Sequence, residues 1–70
     1  MSEIIFIVDK DLEGGLTARA LGYAIFTEGE DMQELKSNIK DALRCHFDDE
    51  KNIPKVIRLH MLTEEVFSYA

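Results

Sequence analysis

The sequence is short of cysteine, of long apolar runs and of positive charge. Cys45 is its only cysteine, so no disulfide can close within the chain, and the free thiol suits a reducing, cytoplasmic setting. The longest apolar run, Ile4 to Val8, has five residues. It follows Glu3 rather than a basic flank and is too short for a signal peptide or a membrane span. Lysine and arginine number 8 against 14 aspartates and glutamates, for a net charge of −6 and a pI near 4.7. Such an acidic surface repels phosphate backbones, so direct nucleic-acid binding is not expected. It fits a basic partner through complementary fields, or it serves solubility alone. No Lys-Ser/Thr pair or helix start follows Gly14 and Gly15, which excludes a phosphate-cradling P-loop.

What is present is enough for one folded domain spanning residues 1–70. The apolar fraction of 46% is that of a globular chain. A chain this small buries only about 60% of its unfolded surface, and self-association is a common way to bury more.

The order of elements follows from periodicity. "EIIFIVD" is β-branched and aromatic and reads as a buried strand. "KDLEGG" is a turn. "LTARA" alternates, with Leu16, Ala18 and Ala20 on one side and Thr17 and Arg19 on the other. Leu21 and Gly22 mark a turn or bulge, after which "YAIFTE" resumes the strand pattern. These three segments form an antiparallel meander, because their connections are too short for crossovers.

Gly29 releases the chain into a helix. Asp31 is an N-cap and Glu34, three residues on, completes a capping-box pattern. Met32, Leu35, Ile39, Ala42, Leu43 and Phe47 then recur at three- and four-residue steps, the apolar face of an amphipathic helix running to about His46. The acids of "TEGEDMQE" are thus largely accounted for by helix initiation. Pro54 stops the helix. "KVIRLHML" is a fourth strand with Ile57, Leu59 and Met61 on one face and Val56, Arg58 and His60 on the other. The tail "TEEVFSYA" reads as a short edge strand or as an apolar strip laid on a second subunit. The expected class is α+β, strand-strand-strand-helix-strand, with the helix on one face of an antiparallel sheet.

Catalytic constellations are weak. Cys45 and His46 are sequence neighbours, and successive helix residues point about 100° apart; Cys45 reads as a small hydrophobe in a helix. Asp9, Asp11 and Glu13 alternate in one loop, whereas two-metal hydrolysis needs acids converging from separate elements. His60 is a strand histidine, and Arg58 beside it is a cross-strand ion partner. No catalytic residue, metal ligand or cofactor is assigned.

Taken together, "EGGLTARALGYAIFTEGEDMQELKSNIKDAL" resembles the HicB-like family of small antitoxins and their solitary relatives. The resemblance is carried by the pair Gly14 and Gly15, by Thr27 and Gly29 turning into a helix, and by Glu34, Asn38, Ala42 and Leu43 along that helix. "IPKVIRLHMLTEEVF" is similar to the closing strand of solitary members. The resemblance implies a partial ribonuclease H-like fold without activity, assembled as dimers or higher oligomers, that binds and neutralises a small basic HicA-type ribonuclease toxin. Full antitoxins of the family carry a further DNA-binding module, which is not expected here. Under this reading Glu28, Glu30, Asp31 and Glu34 are the candidate partner-binding residues, and Val66, Phe67 and Tyr69 the candidate self-association strip. The alternatives are an orphan oligomeric domain, or a small metal-dependent nuclease-like enzyme built on Asp9, Asp11, Glu13 and His60.

Overall fold

The computed structural model describes residues 2–62, 68 and 69. Its elements run β1 (Glu3–Lys10), β2 (Leu16–Ala20), β3 (Phe26–Gly29), α1 (Met32–His46) and β4 (Val56–Met61), with one 3-10 turn at Glu50–Asn52. The strands form one sheet in the order β3-β2-β1-β4, and α1 lies over one face of it. The architecture is the α+β, β-β-β-α-β arrangement expected from the sequence.

One expectation is corrected. The sheet is mixed, not antiparallel: β1–β2 and β2–β3 are antiparallel, but β4 runs parallel to β1 with Glu3 beside Val56 and Val8 beside Met61. The cause is the connection. A tight turn reverses the chain, whereas a helix carries it back across the sheet and delivers the next strand in the same sense. Ser2 braces the start of β4 by accepting from Lys55 N and Val56 N, and Leu62 N donates to Val8 O at the other end.

Strand alternation sorts the side chains. Ile4, Phe6 and Val8 of β1 and Ala18 of β2 point under the helix and are buried. Leu35, Ile39 and Leu43 descend on them from α1, and Ile25 closes the side. Burying an aliphatic or phenyl side chain contributes roughly 1.5–3 kcal/mol each, so this set is what holds the helix on the sheet. The opposite face carries Ile5 and Ile7, half-buried, beside exposed Arg19, Arg58 and His60.

Strand β3 begins later than "YAIFTE" suggests. Gly22 adopts φ 82°, in the left-handed region open to glycine, and the chain bends through residues 21–23 before Ala20 N donates to Ile25 O. Tyr23 then stands edge-on to His46 and Phe47, with ring centroids 5.8 and 5.6 Å away. This aromatic contact pins the bend to the end of α1.

Helix initiation follows the capping chemistry closely. The Asp31 side chain accepts from Glu34 N at 2.8 Å, and the Glu34 carboxylate accepts from Glu30 N at 3.1 Å. The return bond thus reaches one residue before the cap rather than the cap itself. At the other end Phe47 N donates to Leu43 O, and Asp49 caps the 3-10 turn through Lys51 N.

Candidate partner-binding groove

The β1–β2 hairpin and the β3–α1 junction lie side by side because β2 and β3 pair in a register that sets Leu16 opposite Gly29. The hairpin loop is closed by Asp11 N donating to Gly15 O at 2.7 Å and Gly14 N donating to Asp11 O at 3.0 Å. Between the two connections opens a groove of about 610 Å³. Asp11 and Glu13 enter from the hairpin, Glu28 and Glu30 from β3 and its exit, and Glu34 from the first turn of α1; no lysine or arginine lines it. Asn38 closes the floor, its Nδ2 donating to Glu28 O at 2.7 Å.

The arrangement presents five carboxylates on one concave surface. Each is exposed, so each keeps its hydration until something docks. The chemistry is that of charge recognition: a carboxylate is an acceptor for lysine and arginine donors, and a concave cluster focuses its field outward. Among the described residues no group of three or more histidine, cysteine, aspartate or glutamate side chains has metal-holding geometry.

Of the partner-binding residues expected from the sequence, Glu28, Glu30 and Glu34 meet in this groove. Asp31 does not line it, because its carboxylate faces inward to cap the helix. Glu34 serves both roles. Asp11 and Glu13 join the groove from a loop distant in sequence.

Two proteins are similar to this chain. One is a "UPF0150 protein" of Archaeoglobus fulgidus, 48% identical over 46 residues that make up 66% of this chain and 68% of that protein. The other is a "UPF0150 protein" of Thermotoga maritima, 37% identical over 62 residues, 89% of this chain and 86% of that protein. The chain belongs to the UPF0150 family. No family model matches it, and no solved structure does.

Elsewhere in this UPF0150 chain the remaining candidates are dispersed. Asp9 accepts from its neighbour Lys10 N at 2.8 Å and does not line the groove with Asp11 and Glu13. His60 is exposed on the open face of the sheet. His46 packs edge-on against Phe47. Cys45 is exposed, so it is not the packed small hydrophobe expected of it. Arg58 does pair across strands, its guanidinium donating to Glu3 Oε2 at 2.9 Å. That hydrogen bond holds the Glu3 carboxyl below the usual carboxylate range, partly opposed by desolvation, and raises Arg58 in turn. Of the self-association strip, Val66 and Phe67 lie outside the described residues, and Tyr69 is fully exposed. Among the described residues no helix is long and apolar enough to cross a membrane.

Proposed function

We propose that this UPF0150 chain is a non-catalytic, HicB-like antitoxin-type protein with a partial ribonuclease H-like fold, which binds and neutralises a small basic HicA-type ribonuclease toxin. The observation that carries the reading is the groove of five carboxylates with no cation among its lining residues. A basic protein gains long-range steering and charge-assisted hydrogen bonds there. The family resemblance supplies the class of partner, an associational warrant, and the groove supplies a surface of opposite charge.

The test is calorimetry of the purified chain against a small basic HicA-type ribonuclease, together with a ribonuclease assay. The double variant Glu28→Lys/Glu30→Lys should raise the dissociation constant about tenfold or more, since each 1.4 kcal/mol lost is a factor of ten. Its melting temperature should stay near that of the parent, because neither carboxylate makes an intramolecular contact that stabilises the fold. Unaltered affinity and undiminished toxin inhibition reject the groove as the binding surface.

A further inference from the structure

Strand β4 is an edge of the sheet. At its two ends Val56 N and Leu62 N both donate inward, to Ser2 O and Val8 O. Backbone groups alternate sides along a strand, so Ile57, Leu59 and Met61 turn their N–H and C=O outward. Among the described residues no strand pairs with that side, and an open edge of this kind is a template for a further strand. The helix lies closest to β3 and β2. Beside β4 it leaves a space of about 200 Å³, floored by Ile39, Ile57 and Leu59 and walled by Lys36 and Lys40.

Charge is unevenly spread around this edge. The chain has 8 lysines and arginines against 14 acids. Half of those cations, Lys36, Lys40, Lys55 and Arg58, nevertheless stand along β4, with His60 among them. The segment from Lys55 to Leu62 contains no acid. One carboxylate does reach it from β1, Glu3 on Arg58, and the Arg58 side chain stays 56% exposed.

We propose that the outer edge of β4 receives an extended, acidic segment of a different protein, which joins the sheet as an added strand. Its backbone bonds the outward groups of Ile57, Leu59 and Met61, and its apolar side chains fill the space under α1. Its carboxylates meet Lys36 and Lys40 on the helix side and Arg58 on the open side. The backbone ladder supplies affinity, and the cations select the sign of the partner. Two copies of this chain joined β4 to β4 would set the same cations against one another, and like charges placed opposite destabilise a ladder. The occupant is therefore not a second copy. A basic toxin is repelled from this edge in the same way, so the inference stands apart from the toxin reading.

Fluorescence anisotropy of the purified chain with a short labelled peptide of mixed valine and glutamate tests it, together with amide hydrogen exchange followed by NMR. The peptide should bind saturably, and the amides of Ile57, Leu59 and Met61 should become protected. Lys36→Glu/Lys40→Glu should raise the dissociation constant about tenfold or more. Far-UV circular dichroism should be unchanged, as both side chains are exposed, and Lys36→Arg/Lys40→Arg should keep the binding. A peptide methylated at its backbone nitrogens should not bind, because the ladder donors are gone. Four outcomes overturn the proposal: no saturable binding at millimolar peptide, equal binding of a peptide with lysine in place of glutamate, protection confined to amides outside β4, or protection of Ile57, Leu59 and Met61 in the free chain that grows with its concentration.

Discussion

Gly29 lies hard against Leu35: a Cβ built on Gly29 would sit 2.6 Å from the Leu35 backbone nitrogen and 2.8 Å from its Cα. Backbone cannot swing aside as a side-chain tip does, so β3 and the first turn of α1 are held at a spacing only glycine allows. Gly29→Ala should therefore cost about 1–3 kcal/mol, the range of overpacking. Urea unfolding measures it, and a midpoint equal to wild type contradicts the close approach.

Asp31 caps α1, whereas Glu28 lines the groove. Asp31→Ala removes the acceptor for Glu34 N and should cost about 1 kcal/mol. Asp31→Asn keeps the cap and should cost little. Glu28→Gln should leave the midpoint within about 0.5 kcal/mol, as surface changes away from structural contacts do. Chemical denaturation of the three variants checks the order.

The two faces of β1 should respond unequally. Phe6 is fully buried under α1, while Ile7 next to it faces the open side and is half-buried. Phe6→Ala should cost about 3–5 kcal/mol, most of the stability of a domain this small. Ile7→Ala should cost less than half of that. Equal losses in thermal denaturation rule out the assignment of faces.

The Glu3–Arg58 pair makes a pH-dependent contribution of known sign. The folded-state Glu3 carboxyl titrates below its unfolded value because Arg58 donates to it. The contribution is therefore present above the ordinary carboxylate range and is lost as pH falls through the depressed folded value. Both side chains are substantially exposed, so the effect is small and screened by salt. Comparing wild type with Glu3→Gln from neutral to strongly acid pH should show the wild-type advantage shrinking over that window.

Features that depend on residues close together in the chain were legible in the sequence. The Asp31–Glu34 cap, the apolar face from Leu35 to Leu43 and the alternation in β2 and β4 each follow from local periods and hydrogen-bond chemistry. The direction of β4 was not legible, because it depends on how the helix returns across the sheet. The groove was half legible. Glu28, Glu30 and Glu34 cluster in sequence, but Asp11 and Glu13 reach them only through the Leu16–Gly29 register. Asp31 reads from the sequence both as the N-cap and as a partner-binding residue, and the structure keeps only the first role: its carboxylate accepts from Glu34 N and does not line the groove.

The parallel pairing of β1 with β4 also dictates the sequence of events in folding. Strand β1, an inner strand of the sheet, is synthesised before β2, β3 and β4, yet one of its edges stays vacant until Val56 and its successors have been made. Until then the meander must carry Ile4, Phe6 and Val8 without the full complement of neighbours. Closing so long a loop late is entropically slow, so nascent chains halted before β4 should be the form most apt to aggregate or to be taken up by chaperones.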